Sequence, residues 1–390
     1  MNLEKIRADT KGCESLIHLN NAGASLMPNV VTESIKNYLS REEMEGGYEL
    51  ADKLHDELNL FYEYAAQLIH AKSHNMAFTA NATDSYNRAL SSVAFKQGDV
   101  ILTTENDYPS NFIAFISLEK RFGVKVVRVK NAATGEVDLD DFVDKLKTYH
   151  PKLVSVSHVP TSSGLVQPVE EIGGLIRGTE SLFLLDACQS LGQLEVDAQK
   201  THADFISGTM RKFLRGPRGA GLLYVSDKAL EMGLEPLFPD IRGAEWITPN
   251  SYEQKPTANR FEDWEFAYAL MAGSREAIKY ALDIGLDNIV ARNRQLDKRL
   301  RDGLAQNTHV QLRDRGSKKC SIITFSINGI SPEGFKEFFH KKGINVYATS
   351  KNSAVMDFAE KGVEWVARVS PHYYNTEEEI DVFLETLRQI

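Results

Sequence analysis

Cysteine is scarce in this sequence, and the few cysteines stand far apart. Only three occur, Cys13, Cys188 and Cys320, and no two of them have the CxxC spacing. This pattern argues against a disulfide framework and against a structural zinc site, and it is typical of a reducing compartment. We therefore predict a chain without disulfides and without a bound metal.

Long apolar segments are also missing. The longest apolar runs, such as LFLL and GLLYV, are far too short to cross a bilayer. The first residues, MNLEKIRADTKG, carry charges throughout and contain no apolar core of a secretory signal. The sequence thus predicts a cytoplasmic protein that makes no contact with a membrane.

The sequence has no general excess of positive charge. Its formal net charge is −9 at pH 7 and its pI is near 5.7, which disfavours a nucleic-acid partner. One stretch, SGTMRKFLRGPRGAG at residues 207–221, is nevertheless rich in cations, glycine and proline. In an acidic chain it fits one small anion better than a polyanion, and a polyanion-binding module is the non-enzymatic alternative. Arg215 and Arg218 in this stretch are expected to be surface charges.

Strand-like and helix-like patterns alternate between about residues 73 and 225. Such alternation predicts a largely parallel sheet with helices on both faces. An irregular, proline-containing stretch follows at residues 243–257, and the chain ends in a helix whose start, Thr376 to Glu379, reads as a capping box. We predict an α/β fold with a large domain on a mostly parallel central sheet and a smaller α+β C-terminal domain.

Polar segments follow five of the predicted strands, and ligands bind open parallel sheets at these strand ends. The segments are NATDS, ENDYPSN, HVPTSSG, DACQSLG and SGTMRK. Asp186 closes an apolar strand, where its carboxylate could pair with a buried cationic nitrogen or serve as an ordinary helix cap. Lys212, if desolvated beside Arg211, would have a lowered pKa and act as an amine nucleophile; otherwise it is a solvated loop lysine.

Five motifs together resemble the pyridoxal-phosphate enzymes of the aminotransferase class V family, which includes cysteine desulfurases and isopenicillin-N epimerase-like proteins. The motifs are HLNNAGAS, FTANATDS, DACQSLG, SGTMRKFLRGPRGAGLLYV and VARVSPHYYNTEEEID. The resemblance implies the pyridoxal-phosphate-dependent transferase fold (fold type I), a homodimer and a small amino-acid substrate. It also implies three regions: residues 1–25 beside the small domain and the site entrance, a cofactor-binding domain at 26–257, and a small C-terminal domain at 258–390.

The resemblance assigns catalytic roles to three residues. Lys212 would bind the cofactor covalently and move the Cα proton of the substrate, Asp186 would pair with the pyridine nitrogen, and Tyr108 would stack on the ring. The other implied cofactor-binding residues are Ala82, Thr83, Thr161, Gln189, Thr209 and Arg211. The implied substrate-binding residues are Asn21, Ala22 and Arg368, of which Arg368 would hold the α-carboxylate.

One departure from the family pattern bears on the reaction. Desulfurases carry a cysteine nucleophile on a mobile loop, whereas the corresponding stretch here, GINVYATSKNSAVMDF at residues 343–358, has none. Other variants, such as RKFLRGPRG, look most like a subgroup that contains hercynylcysteine sulfoxide lyase. We therefore expect β-elimination from a cysteine S-conjugate or its sulfoxide. The alternative is a cysteine desulfurase or selenocysteine lyase, or an aminotransferase or epimerase of class V.

Overall fold

The structure is a computed structural model that describes residues 1–390, and its first part is mainly helical. The elements of this part are α1 (Leu3–Ala8), β1 (Ile17–His18), α2 (Asn29–Glu45), α3 (Gly47–Lys53) and α4 (His55–Leu68). Strand β1 pairs with residues near the other end of the chain, with Ile17 beside Ile344 and His18 beside Asn345. The N-terminal segment therefore lies against the C-terminal part of the molecule.

A seven-stranded sheet forms the centre of the large domain. Its strands are β2 (Met76–Thr79), β3 (Val100–Thr104), β4 (Lys125–Val129), β5 (Leu153–Ser157), β6 (Leu182–Asp186), β7 (Phe205–Thr209) and β8 (Gly221–Val225). Their order is β2–β8–β7–β6–β5–β3–β4, and only β8 runs antiparallel to its neighbours. Strands β5 and β6 are buried along their whole length, because helices cover both faces. The predicted α/β architecture with a mostly parallel central sheet is confirmed.

A helix follows each of these strands except β7, and several of the helices start at a local capping signal. They are α5 (Ala82–Ser92), α6 (Pro109–Phe122), α7 (Leu139–Tyr149), α8 (Val169–Ile176), α9 (Ala198–Thr201) and α10 (Asp227–Glu231). Asn81 caps α5, Asp138 caps α7, and Pro109 opens α6. The N-termini of α5 and α6 consequently lie just beyond the carboxyl ends of β2 and β3.

The stretch at residues 243–257 is predicted to be irregular, and this prediction is wrong. It contains an antiparallel hairpin of β9 (Ala244–Thr248) and β10 (Ser251–Gln254). Both strands are exposed along nearly their whole length. Neither face packs on a core, so the sequence lacks the alternation of apolar and polar residues that reveals a half-buried strand.

The C-terminal part combines helices with a four-stranded antiparallel sheet of order β11–β12–β15–β14. Its elements are α11 (Tyr268–Ile284), α12 (Leu286–Ala305), β11 (Val310–Leu312), β12 (Ile323–Ile327), α13 (Pro332–His340), β13 (Ile344–Asn345), β14 (Tyr347–Ser350), α14 (Val355–Lys361), β15 (Trp365–Val369) and α15 (Glu377–Leu387). The predicted capping box at Thr376 and Glu379 is confirmed. No helix combines the length and the apolar character that a membrane crossing requires.

Helix α11 packs on the large domain. It contacts α2 and α4, and its buried Met271 and Ile278 belong to the same core cluster as Phe61. Apart from Leu19 of the N-terminal segment, the separate core of the C-terminal sheet begins at Leu296, within α12. The predicted domain boundaries at residues 25 and 258 stay predictions, and this packing favours a later start for the small domain.

Candidate active site

The carboxyl ends of the parallel strands bring the predicted polar segments to one edge of the sheet. Ser157 of β5 and Asp186 of β6 are register partners. Thr209, the last residue of β7, pairs with Gly221 of β8, which in turn pairs with Thr79 of β2. Residues that are far apart in the sequence therefore meet at this edge.

Asp186 is buried, and two neighbours hold its carboxylate. Oδ2 accepts a hydrogen bond from Asn111 Nδ2 (3.2 Å), and Oδ1 accepts one from the backbone N–H of Cys188 (2.9 Å). Asn111 also donates to Oδ1 of Asp107 (2.8 Å), so one amide group joins two buried carboxylates. Burial raises the pKa of Asp107, although three hydroxyl groups from neighbouring strands also donate to it. Sequence analysis missed Asp107 and Asn111, whose only signal is their place in the strand-end segment ENDYPSN.

Lys212 follows β7, and its side chain is buried among other charges. The pKa of Lys212 is lowered to about 8, mainly by burial and also by Arg211 and Arg368, whereas Cys188 and Asp186 act in the opposite direction. A lysine with this pKa is neutral in an appreciable fraction of molecules near neutral pH, and the neutral amine is the nucleophilic form. Lys212 is therefore not the solvated loop lysine of the alternative interpretation.

A glycine allows the turn after β6 to pack directly on the lysine loop. Gly192 has a φ of 87°, and a Cβ atom there would lie 2.5 Å from the carbonyl carbon of Phe213. Any larger residue would push the two backbones apart. The glycine of DACQSLG thus brings the segments of Asp186 and Lys212 together.

The pKa of Lys212 predicts how the stability of the cofactor-free protein changes with pH. An unfolded lysine titrates near 10.4, so between about pH 8 and 10.5 the unfolded chain binds more protons than the native protein. The free energy of unfolding should therefore rise with pH across this window. Relative to Lys212→Met, we expect wild type to gain about 3 kcal/mol, because one pKa unit corresponds to about 1.4 kcal/mol. Urea titrations of both proteins measure the gain; a pH-independent difference would contradict it.

The first turn of α5 offers backbone donors to a ligand. Ala82 and Thr83 are its first two residues, and the Asn81 side chain accepts a hydrogen bond from the N–H of Asp84 (3.0 Å). First-turn N–H groups have no acceptor within their own helix and attract anions. A Cβ atom at Gly221 would lie 2.7 Å from the backbone of Asn81, so the glycine lets the start of β8 pack closely against this turn.

Thr209 and Arg211 connect this region with the lysine loop. The Thr209 hydroxyl is buried and makes one long hydrogen bond, to the carbonyl oxygen of Ala220 (3.5 Å). Arg211 donates to the carbonyl oxygen of Gly23, and its own carbonyl oxygen accepts from the N–H of Ser25 (2.8 Å). These contacts hold the N-terminal segment against the loop that carries Lys212.

Arg368 of β15 reaches the site from the C-terminal domain. Its Nη1 donates to the carbonyl oxygen and the hydroxyl of Thr161 (3.1 and 3.0 Å), and its Nη2 donates to Asn20 Oδ1 (3.3 Å). Gln189 Nε2 donates to the same Thr161 hydroxyl (3.3 Å), and the Tyr347 ring lies 4.7 Å from the guanidinium carbon. Burial lowers the pKa of Arg368 to about 10. Thr161 thus contacts both Arg368, a predicted substrate-binding residue, and Gln189, a predicted cofactor-binding residue.

The three cations of the site have no carboxylate partner. Lys212 and Arg368 are buried, and neither they nor Arg211 form a salt bridge. Nε of Arg368 and Oε1 of Gln189 are also buried without a hydrogen-bond partner. Buried charges and unpaired polar atoms are costly unless a ligand compensates them. The site is therefore suited to a phosphate and a carboxylate.

These residues fit pyridoxal phosphate. Lys212 would bind its aldehyde carbon, Asp186 would face its ring nitrogen, and the α5 terminus with Thr209 and Arg211 would hold its phosphate. The fit rests on the uncompensated cations and on the single buried carboxylate, Asp186, that acts on the pKa of Lys212. Lys212 thus offers an amine to the aldehyde, Asp186 a carboxylate to the ring nitrogen, and Arg211 a cation to the phosphate.

Asn21 and Ala22, two of the predicted substrate-binding residues, direct no polar side-chain group at the candidate site. Asn21 is fully buried; its amide donates to the carbonyl oxygen of Ser370 (2.8 Å), and its Oδ1 accepts from a tyrosine hydroxyl (2.5 Å). The carbonyl oxygen of Ala22 accepts from Gln189 Nε2 (3.2 Å). The residue of this motif that contacts Arg368 is Asn20, which sequence analysis missed, because NNAG does not distinguish its two asparagines.

Tyr108 stands at the N-terminus of α6, beside the site. Its backbone N–H donates to Oδ1 of Asp107 (2.7 Å), which holds the turn before Pro109. About 36% of its surface is exposed, and its hydroxyl acts on the pKa of Arg368. The ring therefore lies near the predicted carboxylate-binding arginine, and stacking on a cofactor stays a prediction.

The surface prediction for Arg215 is wrong. This side chain is 1% exposed and donates to the hydroxyls of Thr10 (2.6 Å) and Tyr373 (2.9 Å). Its guanidinium carbon also lies 4.5 Å from the centre of the Tyr374 ring. Aromatic rings and hydroxyls compensate the buried charge, so Arg215 joins the N-terminal and C-terminal segments. Arg218 is exposed, as expected.

A second cluster of titratable groups lies away from this site. His70, Glu195 and Asp197 place possible metal-binding atoms within 4.8 Å of one another. Lys200 pairs with both carboxylates, and the Gln199 N–H donates to Asp197. The carboxylates are therefore already neutralised by the protein, and we assign no metal to them.

The chain is similar to several known proteins over nearly its whole length. The family model described as Aminotransferase class-V matches residues 17–383. A probable cysteine desulfurase from Pyrococcus abyssi is 29% identical over 99% of this chain and 97% of its own, and one from Methanothermobacter thermautotrophicus is 28% identical over 100% and 98%. The apo structure of a cysteine desulfurase from Thermococcus onnurineus NA1 superposes with a TM-score of 0.90 at 27% identity, over 99% of this chain and 97% of that one.

Proposed function

Because the chain belongs to the aminotransferase class V family, we propose that it is a pyridoxal-phosphate-dependent carbon–sulfur lyase that releases sulfur by β-elimination. The proposed substrate is a cysteine that carries a substituent on its sulfur atom. One observation carries this choice: residues 343–358 contain no cysteine that could accept sulfur. Burial also raises the thiol pKa values of Cys188 and Cys320, which disfavours them as nucleophiles.

Family membership confirms the predicted class V resemblance, the type I fold and the pyridoxal-phosphate cofactor. For the reaction itself, the relatives' names favour the alternative prediction, because these proteins are named cysteine desulfurases. They give no support to hercynylcysteine sulfoxide as the substrate. Desulfuration of free cysteine is therefore the second candidate function.

The residues of the site supply the steps that β-elimination requires. Arg368 binds the α-carboxylate, and its unpaired Nε is available for the second hydrogen bond of that contact. When bound, the cofactor withdraws electrons from Cα and makes its proton acidic. Lys212, whose pKa lies near 8, accepts this proton, and the Asp186 carboxylate would face the ring nitrogen of the bound cofactor.

The reaction balances without an oxidant or an acceptor thiol. The Cβ–S bond breaks, and its electron pair leaves with sulfur as a thiol. One water molecule is then consumed, and the remaining atoms of the amino acid appear as pyruvate and ammonia. Desulfuration would instead transfer sulfur to a thiol and release alanine.

The product distinguishes the two candidates. With S-alkyl cysteines we expect pyruvate and the matching thiol in equal amounts, and with free cysteine we expect no stoichiometric alanine. Coupled lactate dehydrogenase detection of pyruvate and amino-acid analysis of alanine measure both products in one sample. Alanine as the main product from cysteine, without pyruvate from any S-conjugate, would replace the lyase by the desulfurase.

We also propose a cytoplasmic homodimer. Large apolar side chains are exposed around the β9–β10 hairpin, with Phe238 83% and Trp246 75% exposed. Exposed apolar patches of this kind support contact with a second protein surface. Sedimentation equilibrium would test the dimer as a mass of twice 43.7 kDa.

A further inference from the structure

A cavity of about 340 Å³ lies between the start of α6 and residues 352–357. Its apolar walls come from two elements that are distant in sequence. These residues are Pro109, Phe112, Ile113 and Ile116 on one side, and Val355 and Met356 on the other. A cavity of this size is at the lower end of the range for small-molecule sites. It can hold a group of several carbon atoms.

Thr161 connects this cavity with the candidate active site. It lines the cavity, and its hydroxyl accepts hydrogen bonds from Arg368 Nη1 (3.0 Å) and Gln189 Nε2 (3.3 Å). Asp107, which is joined to Asp186 through Asn111, lines the cavity as well. A substrate with its carboxylate on Arg368 therefore has this space within reach of its side chain.

Several polar groups around the cavity are engaged with the protein, and the guanidinium of Arg128, which also lines it, lies 5.7 Å from the centre of the Phe112 ring. Asp357 accepts from Ser162 (3.2 Å) and pairs with Lys361 (2.8 Å). Asn106 donates to Asn131 Oδ1 (3.0 Å). These groups have partners already, so the surface left for a ligand is mainly apolar.

The wall formed by α14 is fixed to the large domain. Ser162 holds Asp357, and Asn131 Nδ2 donates to Glu360 Oε2 (3.3 Å) at the other end of the helix. This wall belongs to the stretch that contains no cysteine. It therefore presents Val355 and Met356, and no thiol, to the cavity.

We propose that this cavity binds the sulfur substituent of the substrate and that the substituent is an apolar alkyl or aryl group. The proposal rests on the proposed function and names its substrate class. Free cysteine has no group that would fill the space, whereas an S-alkyl or S-benzyl group would bury apolar surface against both walls. Binding should therefore strengthen as the substituent grows.

The test uses α-methyl analogues of S-alkyl cysteines on the wild-type holoenzyme. They lack the Cα proton, so they can bind but cannot be eliminated. Isothermal titration calorimetry with S-methyl, S-ethyl, S-propyl and S-butyl analogues should give a Kd that falls about fourfold per methylene, or roughly 60-fold over the three added methylenes. A Kd independent of chain length, or no binding of any analogue, would overturn the proposal.

Variants on each wall locate the substituent. Ile113→Ser and Met356→Ser should each flatten the dependence on chain length and leave the Kd of the S-methyl analogue within about twofold. Val382→Ser, on the exposed face of α15, is the matched control and should retain the wild-type dependence. An unchanged dependence in both wall variants would overturn the proposal. If the Kd of wild type falls with chain length as expected but S-butylcysteine yields no pyruvate, the assignment of the cavity would be supported and the lyase function would be overturned.

Discussion

Replacing Lys212 with alanine should lower the rate of carbon–sulfur cleavage by at least about 10⁴-fold. The substitution removes both the amine that binds the cofactor and the base that accepts the Cα proton. No other lysine can replace it, because the titratable side chains that act on the pKa of Lys212 are two arginines, a carboxylate and a thiol. Pyruvate release under substrate saturation measures the loss.

A second readout separates the chemical role from a folding defect. Borohydride should fix the cofactor covalently to wild type but not to Lys212→Ala, as shown by intact mass, while both proteins keep the same circular dichroism spectrum. The control is Lys200→Ala, because Lys200 is an exposed lysine paired with Glu195. Fixation in the variant, or an activity within tenfold of wild type, would remove Lys212 from its assigned role.

Replacing Arg368 with alanine should lower kcat/KM by roughly 10³-fold, mainly through KM. Hydrogen bonds to charged groups contribute about 1.5–3 kcal/mol each, and a bidentate carboxylate would lose two of them. Arg368→Lys should recover little, because one ammonium group cannot contact Thr161, Asn20 and a carboxylate together. Steady-state kinetics with an S-alkyl cysteine measure both variants.

The matched control for Arg368 is an arginine in an exposed ion pair. Arg299 pairs with Asp381 on the surface, where such pairs contribute about 0–1 kcal/mol. Arg299→Ala should therefore leave kcat/KM within about twofold. If Arg368→Lys performed as well as wild type, Arg368 would be a structural residue and the carboxylate would bind elsewhere.

Local patterns in the sequence were sufficient for the central sheet and for much of the site. The strand-like patterns predicted between about residues 73 and 225 coincide with strands β2 to β8 of the central sheet. Asp186 and Lys212 were identified because they follow strands, and all parallel strands present their carboxyl ends to one edge. This information is local, since apolar runs and polar strand ends depend on a few adjacent residues.

Other features depended on contacts between distant parts of the chain. Arg215 and Arg218 look alike in the sequence, yet only Arg215 is buried, because Thr10 and Tyr373 surround it. Asn20 reaches Arg368 across 348 positions, and Asn111 reaches Asp186 across 75.

The sequence by itself thus determined the architecture and the family, and it predicted Asp186 and Lys212 as the centre of the site. Only the tertiary structure decided which side chains orient these two residues and where the cavity proposed for the substrate lies. The physical reason is that secondary structure and strand-end chemistry follow from neighbouring residues. The partner of a buried polar group, in contrast, depends on how remote segments pack around it.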